Sequence, residues 1–88
     1  MELWIRSQDR LCLAKADLLV IEDNEIRNYV KGSEFYEHFV LGTYKTKERA
    51  LEVLDEIQRK LDYIYELSLR PRELTTIEHK IVYEMPKE

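Results

Sequence analysis

Cys12, His38 and His79 are the side chains of this sequence whose types most readily support nucleophilic or metal chemistry. A thiol needs a base within hydrogen-bond reach to act as a nucleophile, and zinc ligands usually occur in closely spaced pairs. The three residues lie far apart in the chain, and no two of them have ligand spacing. We therefore expect half-exposed strand histidines, a small buried Cys12 between Leu11 and Leu13, and no metal site.

Other signatures of catalysis are missing from the sequence as well. Gly32 and Gly42 are the two glycines, and they are too far apart to form a phosphate-binding loop. The serines lie outside the strand-to-helix turn that exposes a nucleophile. Carboxylates are abundant, but without a cleft to raise the pKa of one of them they are typical of a solvated helix face. We expect a protein that is not an enzyme, with no catalytic residue and no cofactor.

The charge balance bears on nucleic-acid binding. The chain carries 18 acidic and 14 basic residues, a net charge of −4, whereas binding to phosphates needs a concentrated basic face. Lys45, Lys47 and Arg49 nevertheless form a local basic cluster, and strand aromatics could stack on bases. An alternative hypothesis is therefore a nucleic-acid-associated accessory protein that uses these three residues, although nucleic acid is not the partner we expect.

Four stretches that precede one long helix are predicted to contain strands. They are residues 3–7, 11–22, 25–31 and 35–44. Each either alternates apolar with polar residues or is rich in aromatic and β-branched side chains. Short polar turns separate them, which indicates an antiparallel meander. Residues 75–86 alternate in the same way and predict a last strand that rejoins the sheet.

The long helix is predicted to begin near Thr46, whose hydroxyl can accept a hydrogen bond from a free amide of the first turn. Apolar residues then recur at spacings of three and four, which places them on one stripe. They are Ala50, Leu54, Ile57, Leu61 and Ile64, and Leu51 and Val53 broaden the beginning of the stripe. Pairs of an acid followed four residues later by a base indicate that the opposite face is solvated. Pro71 ends the helix, because proline disfavours helical geometry in the preceding residue.

The second half of this helix is apolar or aromatic on nearly every side. Tyr63, Tyr65, Leu67 and Leu69 exceed what one sheet face can cover. Because tyrosine is favoured at interfaces, these four residues are a candidate contact surface for a second copy of the chain or for another protein. The sequence leaves open the alternative that the segment after Pro71 folds back and covers them.

These patterns predict a single α+β domain over residues 1–88. It consists of a small antiparallel sheet, made of an N-terminal meander plus a C-terminal strand, with one long amphipathic helix packed on it. The predicted core is Trp4, Ile5, Leu19, Ile21, Phe39, Leu41, Leu54, Ile57, Leu61 and Ile81. The longest apolar runs have four residues, far fewer than a membrane helix needs, so we expect a cytoplasmic protein with no membrane partner.

Three segments carry a resemblance to a known group. WIRSQD (4–9), LGTYKTKERALEVLDEIQ (41–58) and VYEMP (82–86) resemble small uncharacterised proteins of Gram-positive bacteria, their phages and integrated elements. The resemblance covers both ends and the central strand-to-helix unit, and residues 62–80 lie outside it. It implies a cytoplasmic α+β protein and brings no activity or site residues with it. The leading hypothesis is thus a non-enzymatic interaction module, a homodimer or an adaptor, that acts through residues 63–69.

Overall fold

The α+β class predicted from the sequence is confirmed by the structure, a computed structural model that describes residues 2–32, 36–68 and 80–88. Within these ranges lie six strands and one helix. They are β1 (Glu2–Arg6), β2 (Leu13–Lys15), β3 (Leu18–Glu22), β4 (Glu25–Lys31), β5 (Tyr36–Thr43), α1 (Lys47–Ser68) and β6 (Lys80–Glu84). The last strand was predicted from residue 75, and residues 75–79 lie outside the described part.

The strands divide into two three-stranded sheets rather than one. The first has the order β2-β1-β6, in which β1 is antiparallel to β2 and parallel to β6. The second is the antiparallel meander β3-β4-β5. The stretch 11–22, predicted as one strand region, therefore supplies strands to both sheets.

A buried asparagine explains why the chain changes sheets at residues 16 and 17. Asn28, on the central strand β4, is fully buried. Its amide nitrogen donates to the Lys15 carbonyl oxygen at 3.0 Å, and its side-chain oxygen accepts from the Asp17 amide at 3.0 Å. A buried amide without partners would be costly, so these two bonds fix the crossing between the sheets.

The turn before β4 and the start of α1 follow the local sequence signals. Asp23 has a φ of 55° in the two-residue connection between Glu22 and Glu25, which pair with each other. Aspartate is among the residues that tolerate this left-handed conformation. At the helix start, the Thr46 hydroxyl accepts from the Arg49 amide at 3.0 Å, as predicted. No helix among the described residues is long and apolar enough to cross a membrane.

The core lies between α1 and the two sheets. Its buried apolar residues are Leu3, Ile5, Ile26, Leu41, Tyr44, Ala50, Val53, Ile57, Ile64 and Met85. Of the ten predicted core residues, Ile5, Leu41 and Ile57 are buried, and four more pack partly buried against this core. These four are Leu19, Ile21, Phe39 and Ile81.

The predicted helix stripe is confirmed at Ala50, Ile57 and Ile64, which are buried, and is wrong at Leu54 and Leu61. Val53 is fully buried, whereas Leu61 is 44% exposed and Leu54 is only half-buried. The helix is therefore rotated so that Ala50, Val53 and Ile57 face the sheets.

Candidate functional site

The residues considered for nucleophilic or metal chemistry do not come together. Cys12 is exposed, so the prediction that it is buried is wrong. The reason is a tight loop: the Ser7 amide donates to the Cys12 carbonyl at 2.8 Å, and the Ser7 hydroxyl accepts from the Cys12 amide at 3.0 Å. His38 is exposed on β5 and stacks on Tyr29, with ring centroids 5.0 Å apart. His79 lies outside the described residues.

In residues 2–32, 36–68 and 80–88, no three His, Cys, Asp or Glu side chains form a group that could hold a metal ion.

The basic cluster lies together at the start of α1. Lys45 and Lys47 are exposed. Arg49 is already engaged, because its Nε and Nη2 donate to the Glu88 carbonyl oxygen at 3.0 and 2.9 Å, and its Nη1 donates to Glu52 Oε1 at 3.3 Å. To bind a phosphate, the Arg49 guanidinium would have to give up these hydrogen bonds. The cluster therefore offers two accessible positive charges, those of Lys45 and Lys47.

Of the strand aromatics considered for stacking on bases, the two whose side chains the structure describes, Tyr29 and Tyr44, are not free to do so. Tyr44 is only 3% exposed, and Tyr29 is stacked on His38. The Tyr36 side chain and Phe35 lie outside the described part of the chain. Nucleic-acid binding through Lys45, Lys47 and Arg49 therefore stays a prediction without a structural observation that favours it.

The candidate interface on the second half of α1 is partly described. Tyr63 is 52% exposed and Tyr65 is 65% exposed. The Leu67 side chain and Leu69 lie outside the described part of the structure. Sequence reasoning therefore identified two exposed aromatic residues. The alternative, that the segment after Pro71 covers them, involves residues outside the described part of the chain.

A groove of about 590 Å³ lies between α1 and β6, beside Tyr63. It is lined by Glu56, Arg59, Lys60, Tyr63 and Tyr83. The Tyr83 hydroxyl donates to Glu56 Oε2 at 2.6 Å. Burial is the main reason that the pKa of Tyr83 is raised, and this hydrogen bond raises it further. The phenol is neutral at physiological pH, as tyrosine ordinarily is, and acts as a fixed donor between helix and strand.

A second groove, of about 470 Å³, lies on the other side of α1. Leu54 and Leu61 of the helix line it together with Leu19 of β3 and Leu3 of β1. This groove accounts for the exposure of Leu61, because the helix and the meander do not close over it.

The outer edge of β6 is a further feature that sequence reasoning missed. Among residues 2–32, 36–68 and 80–88, β6 is the last strand of its sheet, and Val82 is 47% exposed. The Met85 amide donates to the Arg6 carbonyl at 3.0 Å and so continues the ladder with β1. Backbone groups of alternate residues in a strand face opposite edges, so the N–H and C=O of Val82 face away from β1. The alternating pattern of residues 80–84 indicated a strand but not an edge.

The three segments that carry the resemblance meet in space. The first contacts the second where the Gln8 amide donates to the Leu41 carbonyl at 2.8 Å. The second contacts the third where the Tyr44 hydroxyl donates to the Pro86 carbonyl at 2.9 Å. The first and third pair directly as β1 and β6. In this structure the three quoted segments thus contact one another directly, through strand pairing and hydrogen bonds.

Comparisons of the chain with protein-family models, with curated proteins and with solved structures found no match. The resemblance to small proteins of Gram-positive bacteria and their phages therefore stays a prediction.

Proposed function

We propose that this protein is a non-enzymatic protein-association module whose contact surface is the second half of α1 and the adjoining groove. The observation that carries the proposal is Tyr63, which is 52% exposed at the side of a groove that Tyr83 also lines. A half-exposed tyrosine beside such a groove can bury a large amphipathic surface with little loss of conformational entropy. The charged residues Glu56, Arg59 and Lys60 would form a polar rim around it.

The resemblance of the three segments supports a cytoplasmic setting for this module. It points to a Gram-positive bacterium, or to a phage or integrated element that such a host carries.

The proposal is tested by placing a charge in the contact surface. Tyr63→Glu should abolish association, because a carboxylate would lose its hydration in the buried contact. Leu51→Glu is the matched control, since Leu51 is 45% exposed on the same helix but does not line the groove. Sedimentation equilibrium of the wild-type chain and both variants measures self-association, and capture from a host lysate measures binding to other proteins.

Loss of association in Tyr63→Glu with retention in Leu51→Glu supports the proposal. The proposal fails if two results occur together. One is that the wild-type chain stays monomeric up to about 1 mM, which means that its free energy of self-association is weaker than about −4 kcal/mol. The other is that every protein captured by the wild-type chain is also captured by Tyr63→Glu. It fails equally if both glutamate variants associate like the wild type. Circular dichroism of each variant checks that the fold is retained.

A further inference from the structure

We infer that the partner is a second copy of this chain, joined through the free edge of β6 in an antiparallel pair whose two-fold axis passes through Val82. This inference rests on the proposed association function and names its partner and its geometry. It merges the two β2-β1-β6 sheets into one six-stranded sheet, with β6 of each copy at the centre.

The first support is that β6 presents an edge with suitable backbone geometry. Among the described residues, β6 pairs with β1 alone. The Met85 bond to Arg6 fixes which backbone groups face β1. Residues 80, 82 and 84 therefore direct their N–H and C=O groups outward. A two-fold axis at Val82 makes Val82 and its copy a hydrogen-bonded pair, which is one of the two pair types that antiparallel strands allow.

The second support is the self-complementary sequence of the strand, KIVYE. Antiparallel pairing about Val82 sets Lys80 opposite Glu84 of the other copy, and Glu84 opposite Lys80. Ile81 falls opposite Tyr83, and Val82 falls opposite itself. Opposite charges and apolar pairs directly across from each other stabilise antiparallel strands, whereas like charges destabilise them.

The other strands at sheet edges lack this property. β2, β3 and β5 also lie at the ends of their sheets. Their sequences are LAK, LLVIE and YEHFVLGT. Pairing any of them with itself about its centre brings no opposite charges together. Edge strands with an exposed apolar residue readily pair with another chain, so a strand whose own sequence fits itself favours a second copy as the occupant.

The third support is that the same dimer covers the surface proposed above. Val82 is exposed on the face of the sheet opposite to α1, and pairing would cover it with the Val82 of the other copy. On the helix side, the two-fold axis would place the two α1 helices side by side along the same edge. The groove of Glu56, Tyr63 and Tyr83 would then face its equivalent. One interface therefore accounts for both exposed features.

Disulfide trapping tests the register directly. Val82→Cys is made together with Cys12→Ser, because Cys12 is exposed and would otherwise oxidise. Paired residues of this type have Cα atoms about 5.5 Å apart, within the range of about 4.4–6.8 Å that disulfides span. Mild oxidation should give a covalent dimer at dilutions where Val40→Cys, in the same Cys12→Ser chain, stays monomeric. Val40 is the matched control because it is 42% exposed on the edge strand β5.

A charged substitution gives an independent measurement. Val82→Lys should raise the dissociation constant of the dimer at least tenfold, about 1.4 kcal/mol, because it sets two lysines opposite each other at the axis. Val40→Lys should leave that constant unchanged. Circular dichroism confirms that both variants fold.

The outcomes separate this inference from the proposed function. If the chain associates and Tyr63→Glu prevents it, while Val82→Cys does not cross-link and Val82→Lys still associates, the β6 pairing is wrong and the association module stands. If Val82→Cys and Val40→Cys cross-link equally, the pairing is again wrong. If the wild-type chain neither self-associates nor loses a captured partner on Tyr63→Glu, both fail.

Discussion

At the scale of single residues, the close packing of β5 against residues 85–88 requires a residue without a side chain at position 42, which is Gly42. A Cβ atom placed there would lie 2.9 Å from the Tyr44 hydroxyl oxygen and 3.1 Å from the Met85 Cε. Tyr44 and Met85 are both buried, and the Tyr44 hydroxyl is held by its bond to Pro86. The glycine is therefore required by close packing and not by its backbone conformation, because no described glycine has a positive φ.

Gly42→Ala should lower the free energy of unfolding by about 1–3 kcal/mol, because overpacking forces buried neighbours from their positions. The closest contact is the Tyr44 oxygen, so the same substitution should cost less in a Tyr44→Phe chain. Urea denaturation of the four variants forms a double-mutant cycle, and a coupling of about 1 kcal/mol is expected. Equal costs in both chains would mean that the hydroxyl is not the atom that resists the new methyl group.

At the scale of elements, two phenols lie where α1 packs on the strands: Tyr44 is buried and Tyr83 is partly buried. Tyr83 of β6 donates to Glu56 of α1, and Tyr44 precedes the helix and lies in the core. Burial raises the pKa of Tyr44 to about 12 from its ordinary value of 10.0. The pKa of Tyr83 is raised as well, by burial and by the bond to Glu56. The folded state therefore holds both phenol protons more tightly than the unfolded chain does.

This difference predicts an alkaline loss of stability with a defined sign. The contribution of Tyr44 is complete below pH 10 and is lost as the pH rises to about 12, the range between its unfolded and folded pKa values. Tyr83 acts in the same direction. Denaturation measured at several pH values should show a shallower decline over this range in Tyr44→Phe and Tyr83→Phe than in the wild type. A decline that is identical in all three chains would contradict the assignment.

The elements themselves were largely predictable, and their orientation was not. Thr46 identified the start of α1 because capping is a local interaction. The choice between Val53 and Leu54 as the buried residue depends on which way the helix rolls on two sheets. Both residues fit an apolar stripe, so spacing alone could not decide between them. For the same reason the sequence placed Leu61 in the core, where the structure has the open side of a groove.

At the scale of the whole molecule, Gln8 connects three distant parts of the chain. Its side-chain oxygen accepts from the Thr43 amide at 2.8 Å, and its side-chain nitrogen donates to the Lys87 carbonyl at 2.8 Å. Its own amide donates to the Leu41 carbonyl. A residue of the loop after β1 thus holds both the end of β5 and residues 85–88.

Gln8→Ala should lower the free energy of unfolding by about 1 kcal/mol, since it removes two hydrogen bonds of ordinary strength. Gln8→Glu is the informative partner variant, because it keeps the acceptor for Thr43 and loses the donor to Lys87. Hydrogen exchange followed by NMR should show the Thr43 amide exchanging faster in Gln8→Ala and nearly as slowly as the wild type in Gln8→Glu. Equal exchange in both variants would exclude Gln8 as the acceptor.

Neither the hydrogen bonds of Gln8 nor the division into two sheets could be predicted from the sequence. Asn28 and Gln8 are polar residues in or beside strands, and nothing local shows that each will bridge two separate segments. The parallel pairing of β1 with β6 is equally non-local. The exposure of Tyr63 and Tyr65, by contrast, was predictable because a helix packed on sheets buries only part of its surface.

The pairing of β1 with β6 has a consequence for how the chain is made. Glu2 pairs with Lys80, so β1 leaves the ribosome well before its partner strand β6 has been made. The meander β3-β4-β5 joins neighbours and can close early, because short loops cost little entropy to form. Leu3 and Ile5 stay incompletely covered in the nascent chain until residues 80–84 emerge. During synthesis there is therefore a stage in which β1 lacks its partner β6 and its apolar side chains are exposed. A chaperone that binds short apolar segments would recognise β1 at this stage.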